Sequence, residues 1–237
     1  MSGLSDLSVV IPVLDSEATL PRTLESLVAW RQSGKFGEVV IVDGGSKDEG
    51  IAISHQWGAR VLRAPAGRGS QLAKGGREAQ GSWLLFLHGD TRLDTGWEES
   101  VAQHIKRAEG AGIDARQCAA FFRLTLDDGD PRARRIEALA RWRACKLGLP
   151  YGDQGLLMSR RHYDELGGYR DLPLMEDVDL ARRIGSHGLV ELNVRAITSA
   201  RRYQESGWIM RPLLNLSILG LYFLGLPPLT LKRLYGS

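Results

Sequence analysis

Three acidic positions, each closing an apolar run or opening a helical pattern, carry the chemistry this sequence could do. Val39–Val42 runs into Asp43, Trp83–Leu87 runs into His88-Gly89-Asp90, and Met175 precedes Glu176-Asp177-Val178-Asp179. A short apolar run reads as a strand buried on both faces. A carboxylate delivered at the carboxyl end of such a strand is how an open α/β sheet presents a ligand site. Taken alone, His88-Gly89-Asp90 reads equally as an ordinary polar turn. The acids at 176–179 read equally as first-turn residues favoured by the helix dipole. Pro65-Ala66-Gly67-Arg68-Gly69-Ser70 is a glycine-bearing loop ahead of a helical pattern. Backbone N–H groups at such a helix start suit phosphate, and Arg68 adds a fork of donors beside Gln71; a solvated loop arginine is the plain alternative. Arg201-Arg202-Tyr203 follows the last strand-like stretch and reads equally as a surface charge cluster.

The elements that must hold these residues follow from periodicity. Strands are expected at Leu7–Pro12, Glu38–Val42, Ala59–Arg63 and Trp83–Leu87. Between them, Leu20, Leu24, Leu27 and Val28 fall at helical spacing, with Asp15 and Ser16 as caps, Pro21 in the first turn and Gly34 and Gly37 at the end. Helices are also expected at Ala52–Trp57 and Ser70–Ala79. Strands alternating with helices mean right-handed βαβ units and a parallel sheet. Every strand then ends on one side, so Asp15, Asp43, Arg68 and Asp90 are expected to converge on one crevice. Further on, helices are expected at Trp97–Ala108, Arg132–Leu147, Arg161–Leu166 and from Glu176 to near Gly185. Strands are expected at Ala119–Leu126, at Leu156–Ser159 after a turn at Gly152–Gly155, and as one or two pieces within Leu189–Thr198. Leu213–Leu229 is apolar but broken by Asn215, Ser217 and Pro227-Pro228, which favours a packed or interfacial helix over a membrane span.

Composition bounds the function. The chain has 237 residues, 43% hydrophobic and 25% charged, which is one sizeable α/β domain with a modest appendage. The net charge of +3 and pI near 9.0 come from scattered arginines. There is no basic stripe interleaved with aromatics, so nucleic acid is not expected as a partner. The mild excess suits anionic small molecules or an anionic membrane surface. Cys118 and Cys145 lack metal spacing and read as reduced thiols of a cytoplasmic protein. Met1–Ser8 does not have the pattern of a signal peptide.

Four motifs stand in one order: Val9–Asp15, Val39–Ser46, Phe86–Thr91 and Glu176–Asp179. With Gly155–Arg160 and Leu166-Gly167-Gly168-Tyr169 on the approach to the last, this pattern resembles the family 2 glycosyltransferases, inverting enzymes of the GT-A fold, over roughly Leu7 to Tyr203. The short length and the His-Gly-Asp-Thr version resemble a small bacterial subgroup. The resemblance implies an α/β, Rossmann-like, mostly parallel sheet flanked by helices with a C-terminal helical appendage. It implies a catalytic domain at 1–205, with a nucleotide-sugar half to about 95 and an acceptor half beyond, and a helical segment at 206–237.

The same resemblance implies roles. Pro12, Asp43, Gly45, Arg68, Gln71, His88, Asp90 and Arg202 would bind a nucleotide-diphosphate sugar. Asp90 would hold a divalent metal, manganese or magnesium, on the diphosphate. His88 stands where the family's first aspartate usually does; it either joins Asp90 as a metal ligand or only contacts the nucleotide. Asp177 would be the general base that accepts the acceptor hydroxyl's proton. Glu176, facing another direction on the helix, would orient or hydrogen-bond. Leu14-Asp15-Ser16 departs from the family's usual aromatic-Asn-Glu. Two rivals remain: a nucleotidyltransferase-like enzyme, and a catalytically inactive protein that binds a nucleotide or a partner. The apolar carboxyl-terminal segment points to a lipid-linked acceptor, to peripheral contact with the inner face of the membrane, or to a homodimer face. The whole expectation is that Asp43, Asp90 and Asp177 meet around one sugar-nucleotide.

Overall fold

The computed structural model describes residues 3–110 and 119–236. Cys118 and the first two residues therefore lie outside the described residues. The elements in order are β1 (Leu7–Val13), α1 (Leu20–Glu25), α2 (Val28–Gln32), β2 (Glu38–Asp43), α3 (Gly50–Trp57), β3 (Arg60–Arg63), α4 (Arg68–Glu78), β4 (Trp83–Phe86), β5 (Thr91–Leu93) and α5 (Trp97–Gly110). They continue with β6 (Ala119–Leu126), α6 (Pro131–Leu147), β7 (Leu156–Ser159), α7 (Arg160–Glu165), α8 (Glu176–Ile184), β8 (Leu189–Thr198), α9 (Arg201–Ser206), α10 (Met210–Phe223) and α11 (Pro228–Tyr235).

The strands form one sheet in the order β3-β2-β1-β4-β7-β6-β8-β5. β1, β2, β3 and β4 run parallel, as do β6 and β8. β7 is antiparallel to both β4 and β6, and β5 is antiparallel to β8. Side chains alternate across the sheet. Val9, Ile11, Ile41 and Leu85 pack on one face with Leu20, Leu24, Trp30 and Trp97. Val10, Val40, Leu84 and Phe86 pack on the other with Leu72, Tyr163 and Leu180.

This topology sets what reaches the working edge. The parallel strands put Val13, Asp43 and the residues after Phe86 on one side. Because β7 is antiparallel with Leu156 opposite Phe86, the turn before β7 arrives at that same side. β6 opposes β7 and β8 follows β6, so the carboxyl end of β8 at Thr198 arrives there too.

The structure departs from several expectations. Asp15 and Ser16 do not cap the first helix; it begins after Thr19, without a side-chain cap bond, and breaks into α1 and α2. Asp15 is instead held in a left-handed conformation, φ +48°, as β1 turns into the site. β4 ends at Phe86, and Leu87 is buried with its N–H on the Val10 carbonyl. β5 carries no signal that the periodicity reading used. Residues 189–198 form a single strand whose pairing with β6 shifts register at Phe122/Arg123. Arg201-Arg202-Tyr203 opens a helix, α9.

The apolar carboxyl-terminal stretch is two helices, not one. α10 and α11 pack on α8 through Ile218, Leu219 and Leu231 against Val178 and Ala181. Burying each such side chain is worth about 1.5–3 kcal/mol, so three of them suffice to dock the pair. Among the described residues no helix is long and apolar enough to cross a membrane.

Candidate active site

Two clefts open on this edge and run into each other. A groove of about 480 Å³ is lined by Pro12, Asp15, Gln71 and Glu205 among others. A pocket of about 130 Å³ is lined by Asp153, Glu176, Asp177, Tyr203, Arg211 and Tyr235 among others. Arg68, His88, Asp90, Ser199 and Arg202 line both, so they form the junction.

The groove side holds most of the residues expected to bind a donor. Pro12 pairs with Val42 at the end of β1. Arg68 is the first residue of α4, after Gly67 at φ +149°. Gln71 is buried, and its amide donates to the Val13 and Val42 carbonyls at 2.8 and 2.7 Å. Its side chain is therefore committed to holding the ends of β1 and β2 together. Asp43 and Gly45 are not among the described residues lining either cleft. Asp43 is buried, and its Oδ1 accepts the Ser46 N–H at 2.8 Å. Burial pushes its carboxyl up, but the Ser46 and Gly45 donors and Arg63 outweigh that and hold it below the ordinary range. Asp15, Arg68 and Asp90 thus share one groove, while Asp43 is turned into its own turn.

At the junction, the turn after β4 is pinned from both sides. Thr23 donates to the Gly89 carbonyl at 3.1 Å, and the Thr91 N–H closes on the His88 carbonyl at 3.2 Å. Burial pulls the His88 pKa down to about 3, with Arg68 and Arg202 adding to the drop and Asp90 opposing it. His88 is therefore neutral at physiological pH, the form that can ligate a metal. However, a Cβ at Gly152 would lie 2.3 Å from His88 Nε2, so that ring edge is turned against the Gly152 backbone. Asp90, a hard carboxylate facing both clefts, is the better fit for magnesium or manganese. Among the described residues no three His, Cys, Asp or Glu side chains gather as a metal centre.

The pocket side is carried by α8. Met175, at φ +67°, aims the helix start inward. Asp177 Oδ2 accepts the Gly152 N–H at 3.0 Å and Oδ1 accepts the Val178 N–H at 2.7 Å. Glu176 does not face elsewhere, as the helical spacing suggested; it is buried and lines the same pocket. The left-handed Met175 tips the first turn so that both acids reach the cleft. Burial pushes the Glu176 pKa up to about 7, helped by Asp177 and opposed by Arg68. Asp179 lies apart, 2.9 Å from Arg170 and 2.6 Å from Arg183, and serves the fold.

Sequence reasoning missed the opposite wall. Tyr151, Gly152 and Asp153 line the pocket from the turn before β7, and Arg211, Asn215 and Tyr235 line it from α10 and α11. Arg211 donates to the Tyr235 hydroxyl, which donates to Asn215 Oδ1 at 3.1 Å. Burial pushes the Asp153 carboxyl up to about 6, with Arg143 opposing and Asp177 and Asp90 adding to the rise. The only signal in the sequence was a polar run, Tyr151–Gln154, directly before an apolar strand.

Comparison with known proteins follows the same lines. The family model "Glycosyl transferase family 2" matches residues 8–167. The undecaprenyl-phosphate 4-deoxy-4-formamido-L-arabinose transferase of Photorhabdus laumondii is 28% identical over 182 residues, 68% of this chain and 51% of that protein. Against other curated relatives at 34–38% identity, the chain spans about a third of their length. S. aureus TarS in complex with UDP superposes with a TM-score of 0.62 at 16% identity, covering 84% of this chain and 62% of that one. Glucosyl-3-phosphoglycerate synthase from Mycobacterium tuberculosis, in complex with manganese and uridine-diphosphate-glucose, gives 0.53 at 20% identity, over 80% of this chain and 69% of that one. These solved structures share the fold: α/β, with a mostly parallel sheet flanked by helices.

Proposed function

The chain belongs to glycosyl transferase family 2, and from that membership we propose that it transfers a sugar from a nucleotide-diphosphate donor to an acceptor hydroxyl, with inversion. The observation that carries the reading is the junction: Arg68, His88, Asp90 and Arg202 lie between a roomy groove and a pocket containing Glu176 and Asp177. The donor takes the groove, its diphosphate lies at the junction, and the acceptor enters the pocket.

Asp177 acts as the general base. Its carboxylate takes the proton of the acceptor hydroxyl as that oxygen bonds to the anomeric carbon; the bond from that carbon to the diphosphate oxygen breaks, and its electron pair leaves with the nucleoside diphosphate. The two backbone N–H groups on Asp177 fix the orientation in which its carboxylate takes that proton. Arg68 and Arg202 meet the charge that builds on the leaving group. Glu176, whose pKa burial raises to about 7, would orient the acceptor or hydrogen-bond to it within the pocket. A divalent metal, manganese or magnesium, held by Asp90 with His88 beside it, would neutralise the diphosphate. Asp43 and Gly45 would meet the base end of the nucleotide; Pro12 and Gln71 shape the groove. UDP is the favoured nucleotide, by analogy with the TarS and synthase complexes.

Residues 1–205 are assigned to catalysis, with the donor half to about 95, and 206–237 to a helical segment that also walls the acceptor pocket. A lipid-linked acceptor at the inner face of the membrane is favoured by the undecaprenyl-phosphate relative and by exposed apolar residues on α10 and α11. A nucleotidyltransferase is disfavoured because Val13-Leu14-Asp15-Ser16 lacks a glycine-rich, arginine-bearing loop after β1.

The test is nucleotide release across a panel of nucleotide sugars, with and without manganese, in wild type and Asp177→Asn. Expected is release with at least one donor, falling by about 10²–10⁴-fold in the variant while calorimetric affinity for UDP is kept. Undiminished turnover in Asp177→Asn rejects the base assignment. Absence of release with any donor rejects transfer in favour of an inactive binder.

A further inference from the structure

Asp153 is a half-buried acid on the pocket wall that the mechanism above does not use. Its Oδ1 is shut off from solvent and has no hydrogen-bond partner among the described residues. A buried carboxylate oxygen left unpaired costs about 1–3 kcal/mol or more, so Asp153, which lines the pocket, gains when its carboxyl turns that oxygen toward a donor from outside the chain. The nearest large cation does not fill this role. Arg143 spends its guanidinium on the Leu149 carbonyl at 2.8 Å and Gln154 Oε1 at 3.1 Å, and lies over the Tyr151 ring.

The turn that carries Asp153 is rigid and tied to the base. Gln154 is buried, donating to the Phe122 carbonyl at 3.3 Å and accepting from the Tyr151 N–H at 3.2 Å. One residue before Asp153, the Gly152 N–H holds Asp177 Oδ2. A single turn therefore fixes two carboxylates on one pocket. Around them stand Glu176 and the phenols of Tyr151, Tyr203 and Tyr235. Arg211 is the cation added at the far wall, and it is engaged with Tyr235. Arg68 and Arg202 stand at the junction side, where the diphosphate is placed, so a nucleophile at Asp177 meets the Asp153 and Glu176 carboxyls first, and hydroxyls can donate to each.

We propose that the reacting end of the acceptor is a neutral polyhydroxyl group, and that Asp153 binds it by accepting a hydrogen bond from a second hydroxyl while the reacting hydroxyl faces Asp177. This rests on the reading of the pocket as the acceptor site. It favours a sugar head over a lipid phosphate as the nucleophile and leaves room for a lipid tail beyond that head.

The test uses the full chain with manganese and the nucleotide sugar selected by the release panel. Acceptor probes are n-octyl β-D-glucopyranoside, a neutral polyol, and farnesyl phosphate, an anion. The glucoside is expected to speed nucleotide release above the rate in water, and farnesyl phosphate is not. Asp153→Ala is expected to raise the KM for the glucoside at least tenfold with UDP affinity kept, and Asp153→Asn, which still offers a carbonyl oxygen, to raise it less. Melting temperatures of both variants equal to or above wild type separate lost acceptor binding from lost fold. Stimulation by farnesyl phosphate alone, an unchanged KM in Asp153→Ala, or no stimulation by the glucoside in a protein that binds UDP each overturn the inference. Absence of UDP binding is the distinct result that rejects the transferase reading, and the inference falls with it.

Discussion

At the scale of single residues, the site works by setting like charges against burial. Glu176 and Asp177 are neighbours on one helix start, yet they differ. Asp177 has two backbone N–H donors, whereas Glu176 has burial and a like charge that push its pKa up to about 7. The folded pKa lies above the ordinary glutamate value of 4.5, so the stability contributed by the protonated form is full below that value and is lost as pH rises through 7. Glu176→Gln removes the penalty of ionising a buried group. At pH 8 it is expected to stabilise by about 3 kcal/mol at most, raising the melting temperature by several degrees, with little change at pH 4.5. Equal melting differences at both pH values would reject the assignment.

At the scale of elements, the antiparallel β7 is decisive. It brings the turn Tyr151–Gln154 to the edge where β1, β2 and β4 end, although Tyr151 comes 65 residues after Phe86 and further still after Val13 and Asp43. Gly152 is required there by close approach, since any Cβ would fall 2.3 Å from His88 Nε2 and 2.7 Å from Cε1. Gly152→Ala must displace the turn or the ring. The expected cost is about 1–3 kcal/mol of stability. Transfer is expected to fall by about tenfold or more, because the N–H that aims Asp177 moves. Thermal melts and release kinetics, beside calorimetry with UDP, check both parts. A variant with full activity would show that the Gly152 contact does not position the base.

At the scale of the whole molecule, one side carries apolar surface that the core does not use. Ile209, Met210, Phe223, Leu224 and Leu229 are exposed, Leu224 at 79%, and Lys232 and Arg233 lie on the same helical pair. An apolar face with nearby cations suits an anionic membrane surface. Co-sedimentation with vesicles containing anionic lipid is expected, and the double variant Phe223→Glu, Leu224→Glu is expected to abolish it without lowering the melting temperature. Protein that stays in the supernatant and sediments as a dimer would assign this face to self-association.

The alternation of apolar runs with helical stripes was readable from residue 7 to residue 87, because strand and helix periods are local properties of the chain. So were the acids at the strand end and helix start, since a run that stops at Asp90 announces its own edge. What Asp43 and Gln71 do was not readable: Asp43 turns to Ser46 and Gln71 ties two strand ends, and both depend on which backbone groups fold beside them. Asp153, Arg211, Asn215 and Tyr235 gave no usable signal. Their place in one pocket follows from the direction of β7 and the docking of α10 and α11, long-range pairings that no local period encodes. The sequence by itself determined the four parallel strands up to Leu87, the family resemblance and the acids that close a strand or open a helix. Only the tertiary structure decided what lines the pocket opposite Asp177, because that wall is assembled from segments far apart in the chain and joined by burial alone.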